Sequence, residues 1–260
     1  MSNQVSWFKR LRWMIRLEAR SGRQHLRGIR QNMAAWPRFW KEYHEYNRQS
    51  RHDAQLSLRY LYPCLNDNTD ETVIEPVYFY QDSWAFEKIV QQHPSLHVDV
   101  GSQHKFVALL SKVVPVTMVD IRPLSLPLDT LTFKKGSILE MPFETDSLPS
   151  ISSICVVEHI GLGRYGDPLD PYGTEKAIAE LKRVLAPGGR LYLSIPVGNE
   201  NITAFNAGRI FRLSDLLKLF EPLIVLEQRF IVGDSYQTNY ESRPMFGTTG
   251  LFELLKPNKE

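Results

Sequence analysis

The sequence predicts an α/β fold built on a mainly parallel sheet covered by helices on both faces, and three observations carry that expectation. Leu96 to Asp120 reads as a strand, a tight turn at Gly101, a helix and a second strand, with the closing acid about twenty residues downstream of the first strand, the arrangement that grips a nucleotide-type ligand. Strand-like and helix-like patterns then alternate to the C-terminus, with connections too long for hairpins. The chain of 260 residues, 43% apolar and 11% aromatic, can bury a full core as one main domain with an appendage.

Composition also excludes several classes. The two cysteines, Cys64 and Cys155, lie far apart and near no paired-ligand spacing, so neither a disulfide framework nor a metal site is expected, and a reducing cytoplasm fits best. There is no uncharged apolar run of about 18 residues and no leader-like apolar region with a small-residue cleavage site, so neither a spanning helix nor a secretory signal is expected. The net charge of +2 hides an asymmetry: residues 1–51 hold 12 Lys/Arg against 3 Glu, a balance of +9, while residues 52–260 hold 19 Lys/Arg against 26 Asp/Glu, a balance of −7. Within the basic segment Trp7, Phe8, Leu11, Met14 and Ile15 recur at helical spacing between Lys9, Arg10, Arg12 and Arg16, which describes a basic amphipathic helix. Trp36, Trp40, Tyr43 and Tyr46 continue the aromatic content. Such an arm could rest on an anionic membrane surface or hold a partner protein, with nucleic acid the weaker expectation; a helix packed on its own domain is the alternative.

The elements follow in order. Asn66 to Glu75 turns polar and acidic and reads as a linker, so residues 1–75 are expected as a helical extension and linker, and residues 76–260 as the main domain. Ser83 to Gln92 is expected as a helix capped by Asp82 or Ser83, with Ala85, Phe86, Ile89 and Val90 as its apolar stripe. Strands are expected at Leu96 to Val100, Val116 to Val119, Leu131 to Phe133 and Ile151 to Val157. Thr174 is expected to cap a helix that runs to Ala186, with Ala177, Ile178, Leu181, Val184 and Leu185 on one face and Pro187-Gly188-Gly189 as its stop. A strand at Arg190 to Ile195, a short helix at Ser214 to Phe220, a strand at Ile224 to Val232 and an apolar run at Gly250 to Leu255 complete the chain.

Taken with this order, five segments resemble the class I S-adenosylmethionine-dependent methyltransferases. They are Val98-Asp99-Val100-Gly101-Ser102, Val119-Asp120, Lys135 to Phe143, Val156 to Ile160, and Leu181 to Leu191. A narrower resemblance, carried by Glu158-His159-Ile160-Gly161-Leu162-Gly163-Arg164-Tyr165-Gly166-Asp167-Pro168 and by Phe205 to Ile210, is to an uncharacterised methyltransferase-like family of unknown function first catalogued from nematodes. The resemblance implies a Rossmann-like sheet of seven strands, mostly parallel with an antiparallel last hairpin, and S-adenosylmethionine as cofactor. It implies cofactor contacts from Asp99, Gly101, Ser102, Gln103, Asp120, Ile121, Ser137, Ile138 and Glu158. Two positions depart from the family pattern, since Gln103 and Lys105 stand where the loop normally carries further glycines. Gln103 is expected to narrow the cavity or shift the ligand outward, and Lys105 near a helix N-terminus to favour an anion, the cofactor's carboxylate or a phosphate, with His104 also on the cofactor side. Ser137 likewise replaces a frequent aspartate.

If the acceptor is a hydroxyl, a base must stand beside the methyl group. His159, directly after the fourth strand, is the expected catalytic base, with Asp167 also in a catalytic position and Glu158 orienting the histidine or binding the cofactor edge; a purely structural histidine is the alternative. Arg164, Tyr165 and Asp170 on the loop from Gly161 to Gly173, with Asn206 and Arg209 after the fifth strand, are the expected substrate contacts. The expected activity is O-methylation of a polar small-molecule acceptor such as a sugar or glycan precursor, with the arm docking the protein peripherally at a membrane or a partner. The competing expectation is a non-catalytic binding or regulatory protein on the same fold.

Overall fold

The structure is a computed structural model that describes residues 34–50 and 56–258. The predicted amphipathic helix around Trp7 to Ile15 lies outside them. The chain divides into two compact units, Met1–Val73 and Ile74–Glu260. In the first, residues 34–49 are helical (α1), and Trp36, Phe39, Trp40 and Tyr43 pack in sequence along it, Trp36 stacked on Trp40 at 6.1 Å between ring centroids.

The second unit carries a ten-stranded sheet: β1 (His97–Val100), β2 (Val116–Asp120), β3 (Leu131–Lys135), β4 (Leu148–Ile154), β5 (Leu185–Gly198), β6 (Ile202–Ala204), β7 (Gly208–Arg212), β8 (Ile224–Val232), β9 (Ser235–Gln237) and β10 (Thr248–Leu255). Its path runs β3-β2-β1-β4-β5-β10-β8-β9. Strands β3, β2, β1, β4 and β5 are mutually parallel, and β10 is antiparallel to both β5 and β8. The expected seven-stranded Rossmann-like core with an antiparallel last hairpin is therefore present. The small strands β6, β7 and β9 are added at its margins.

Four helices cover the two faces: α2 (Pro76–Gln92) and α3 (His104–Leu110) on one, α4 (Gly173–Val184) and α5 (Leu213–Phe220) on the other. The strands serve both layers by simple alternation. Tyr192, Ile231 and Leu251 join Trp84, Ile89 and Phe106 in one core, while Leu191, Leu193, Phe230 and Phe252 join Ile178, Leu181 and Phe220 in the other.

Four expected boundaries shift. Helix α2 starts seven residues before Ser83, because Glu75 accepts a hydrogen bond from the Tyr78 amide at 2.6 Å and Pro76 occupies the first helical position. The Ser83 hydroxyl instead donates back to the Phe79 carbonyl within the helix. Thr174 does not cap α4. It lies inside the helix, with its hydroxyl donating to the Val157 carbonyl at 2.6 Å and so tying α4 to the segment after β4. Pro187-Gly188-Gly189 forms no loop; β5 runs through it from Leu185, since the Gly188 amide and the Gly189 carbonyl pair with Lys256. The fourth strand ends at Ile154, and Val157 opens a 3-10 turn, Val157–His159, that turns Glu158 and His159 back over the sheet end.

Candidate functional site

A cavity of about 780 Å³ opens at the carboxyl ends of β1, β2 and β4, the crevice that an open parallel sheet leaves where strand order reverses. One wall is Val100 to His104, a second Val119 to Leu124, a third Gly136 to Leu139, and a fourth Ile154 to Ile160. Glu75 and Tyr78 from α2 close one side, and Pro196, Ala207, Phe246 and Thr249 another.

The turn after β1 is built to hold backbone close to whatever fills the cavity. Gly101 has φ 71°, and a Cβ there would stand 3.0 Å from the Val156 Cγ1. Asp99 does not reach the cavity: its carboxylate is buried beneath the turn, accepting from the Ser102 amide at 3.1 Å and the Ser152 hydroxyl at 2.6 Å. His97 bonds Ser150 and Ser152 at 2.8 and 2.9 Å, so a chain of buried polar groups fixes the turn from below. Burial pushes the Asp99 carboxyl up to about 6 and the His97 imidazole down to about 3, so near neutral pH the aspartate is ionised and the histidine neutral. The expected narrowing by Gln103 does not occur through its amide. The Gln103 side chain caps α3, its oxygen accepting from the Lys105 and Phe106 amides, and with those donors satisfied the helix start is closed to an anion. His104 lines the cavity, whereas Lys105 is exposed outside it.

Across the cavity Asp120 ends β2 and points inward, but Arg122 holds it: the Arg122 amide reaches one carboxylate oxygen at 2.8 Å and the guanidinium both at 3.3 Å. Arg122 also lies 4.5 Å from the centroid of the Tyr165 ring. Ile121, Ser137 and Ile138 line the same side, Ile138 nearly fully buried and the Ser137 hydroxyl accepting from the Leu139 amide.

Glu158 and His159 stand at the end of β4. The Glu158 side chain is 3% exposed, Oε1 lies 3.6 Å from His159 Nε2, and Oε2 has no hydrogen-bond partner. His159 Nδ1 is likewise buried without a partner, and its ring packs edge-on to Tyr165 at 5.6 Å. Burial pushes Glu158 up to about 8, against the lowering pull of Cys155 and Arg164, and pushes His159 down to about 4, so both are neutral near pH 7. Beneath them Gln81 Oε1 accepts from the Ser194 hydroxyl and the Cys155 thiol.

The remaining expected substrate and catalytic residues divide. Arg164, Tyr165 and Asp167 line the cavity. Asp167 spends both oxygens on its own loop, accepting from the Gly161 and Tyr165 amides, and Arg164 donates to the Ala207 carbonyl at 2.8 Å. Asp170, Asn206 and Arg209 are not brought to the cavity. Asp170 pairs with Lys176 at 2.6 Å. Asn206 lies exposed in the β6–β7 turn. Arg209 is buried and binds the carbonyls of Ile160, Asp170 and Pro171 and the Thr174 hydroxyl, a strut under the loop rather than a ligand contact. Sequence reasoning missed Glu75, Tyr78, Arg122, Phe246 and Thr249. The Glu75-Pro76 pair is a helix-start signal that would have brought in the first two; the last two follow a loop with no local motif.

Comparisons with known proteins agree with this architecture. Residues 133–230 match the family model described as Caenorhabditis protein of unknown function, DUF268. No curated protein matches the chain. The N-methyltransferase NodS from Bradyrhizobium japonicum, crystallised with S-adenosyl-l-homocysteine, superposes with a TM-score of 0.52 at 15% identity, over 71% of this chain and 89% of that one. A Galdieria sulphuraria protein, whose crystal structure carries the name of a sarcosine dimethylglycine methyltransferase, gives 0.51 at 17% identity, over 70% and 87%. The chain therefore has the fold of the class I S-adenosylmethionine-dependent methyltransferases, and its central stretch matches a nematode family of unknown function.

Proposed function

We propose that the protein binds S-adenosylmethionine and transfers its methyl group to a small polar acceptor. The observation that carries this reading is the turn at Gly101. A left-handed glycine, where a Cβ would crowd Val156 at 3.0 Å, lets backbone approach a ligand in a cavity that Asp120 also lines. At about 780 Å³ the cavity is within the range of drug-sized ligand sites. The residues fit the group: Gly101 and Ser102 for its amino-acid end, Asp120 for the ribose diol, and Ile121, Ser137 and Ile138 for the adenine edge. A methyltransferase of the same fold was crystallised with S-adenosyl-l-homocysteine. Asp120 can take up that role once Arg122 releases one of its oxygens.

When bound, the cofactor supplies an electrophilic methyl group. The chain itself must align the acceptor, exclude water and take up a proton, and alignment alone is worth several kcal/mol. His159, held neutral with an unpartnered Nδ1, is the cavity group able to take that proton. Tyr165, flanked by Arg122 and by Arg164 at 5.1 Å, gives an acceptor a polar aromatic wall. A hydroxyl acceptor such as a sugar or glycan precursor suits those groups, and the basic arm of residues 1–51 is proposed to bring the protein to a membrane surface or partner.

The second reading, a binding protein without catalysis, is favoured by one feature: Asp120 is already engaged by Arg122. Titration calorimetry and thermal unfolding with S-adenosylmethionine decide first whether the cofactor binds at all. Saturation at 100 times the dissociation constant stabilises by about 2.7 kcal/mol, and neither heat nor a thermal shift at millimolar ligand would end the methyltransferase reading. Transfer of labelled methyl groups to a hydroxylated acceptor then separates the enzyme from the binding protein.

A further inference from the structure

Four carboxylates line the cavity, and three of them are already satisfied. Glu75 caps α2, Asp120 holds Arg122, and Asp167 accepts two amides of its own loop. Glu158 alone is buried with an oxygen that no donor reaches. The basic group nearest to it is the His159 imidazole, which burial keeps neutral. A carboxyl so placed is mostly uncharged near pH 7 in the ligand-free protein and ionises there when a further cation comes beside it. Glu158 follows Cys155 and Val156 from the end of β4, and the Val156 side chain touches Gly101, so the carboxyl stands at the same end of the sheet as the turn that would hold the cofactor's amino-acid end.

We propose that Glu158 binds as a carboxylate to the sulfonium of S-adenosylmethionine, releasing its proton to solvent, and so distinguishes the cationic methyl donor from the neutral S-adenosylhomocysteine left after transfer. This rests on the cofactor reading above. The charge balance is simple: one cation enters and one proton leaves. When the sulfur loses its charge, the carboxylate is again an unpaired buried anion, which weakens the grip on the product.

The groups facing Glu158 do not obscure its titration. Cys155, directly after β4, and Tyr78 on α2 are shifted upward by burial and remain neutral, and Asp82 on α2, pushed up to about 6, is mostly ionised across the range tested. Burial holds His159, on its own turn, down at about 4, and the Arg164 guanidinium on the following loop faces both groups. Strands β5, β7 and β10 contribute Pro196, Gly208 and Thr249 to this region, none of which titrates.

Calorimetry on the full chain between pH 6.5 and 8, in buffers of different ionisation enthalpy, reads this directly. S-adenosylmethionine should release close to one proton from Glu158 at pH 6.5, falling towards half a proton at pH 8, and gain up to about tenfold in affinity per pH unit, while S-adenosylhomocysteine shows no such release. The α-amino groups of the two ligands titrate differently because only one stands near a sulfonium, so each ligand's own titration is measured free in solution and subtracted; Glu158→Gln should then remove the remaining difference between them. Equal proton release and equal pH dependence for the two ligands in the unaltered protein, or a difference that survives in Glu158→Gln, overturns the proposal while leaving the cofactor reading intact. Failure of S-adenosylmethionine to bind at millimolar concentration overturns both. The proton count in the unaltered protein decides the matter even if the variant does not fold.

Discussion

Glu158 buries an acid where it has no partner, and that carries a stability signature separate from any ligand. Its folded value, raised to about 8, exceeds the ordinary value of 4.5, so between those limits the folded protein holds a proton that the unfolded chain has lost. Its contribution to stability is present below pH 4.5 and declines as pH rises towards 8, by up to about 1.4 kcal/mol per pH unit. The two buried histidines work in the opposite sense, because both are held neutral when folded and their effect is lost as pH falls below 6.5. Denaturant unfolding across pH 5 to 8 should therefore show Glu158→Gln with a flatter stability decline than the unaltered protein, and parallel curves would show that burial does not hold the proton there. Gly101 makes a second residue-scale case. Gly101→Ala places a methyl 3.0 Å from Val156 at φ 71°, a cost of about 1 kcal/mol in folding. The larger effect is expected on ligand approach: at least a tenfold loss of S-adenosylmethionine affinity by calorimetry, with unchanged affinity counting against the turn as the cofactor's seat.

Among the elements, the loop from Gly161 to Gly173 is the one whose shape depends on a single side chain from elsewhere. Arg209 on β7 satisfies the carbonyls of Ile160, Asp170 and Pro171, and a Cβ on Gly161 would overlap the Asp170 carbonyl. Arg209→Met takes the donor from three partly buried or exposed carbonyls, so a loss of about 1 kcal/mol is expected in chemical denaturation, together with faster proteolytic cutting between residues 161 and 173. A variant as stable and as protease-resistant as the original would show that the loop holds itself. Arg209 also marks the limit of what the sequence could reveal. The alternation of strands and helices, the glycine turn and the acid that ends β2 are written in local sequence patterns, and these were legible. An arginine at the start of a short strand looks the same whether it reaches a ligand or a backbone carbonyl, and only the folded path of the 161–173 loop decides. The early start of α2 was visible in Glu75-Pro76, but the apolar stripe from Ala85 onward is the stronger signal and masks it. Gln103 stands where a glycine is usual because its amide caps α3, a choice that depends on the exact path of the turn.

For the whole molecule the governing fact is the separation of charge along the chain, +9 over residues 1–51 and −7 over residues 52–260. A body of that sign is repelled by an anionic surface, whereas each Lys or Arg near such a surface contributes about 1 kcal/mol of attraction, falling off within a Debye length. Among the described residues no helix is long and apolar enough to cross a membrane. Peripheral attachment through the arm therefore makes a specific demand. The full chain should sediment with phosphatidylserine vesicles at about 0.1 M salt and be released at about 1 M, where the Debye length contracts from about 10 Å to about 3 Å. It should ignore neutral phosphatidylcholine vesicles, and the chain lacking residues 1–51 should stay in solution under every condition. That shortened chain should still bind S-adenosylmethionine as the full chain does, because every residue lining the cavity lies within 74–260. Equal sedimentation of the two chains would place attraction in the acidic body and refute docking by the arm. Release of the full chain from vesicles by low concentrations of RNA would instead assign the basic segment to nucleic acid.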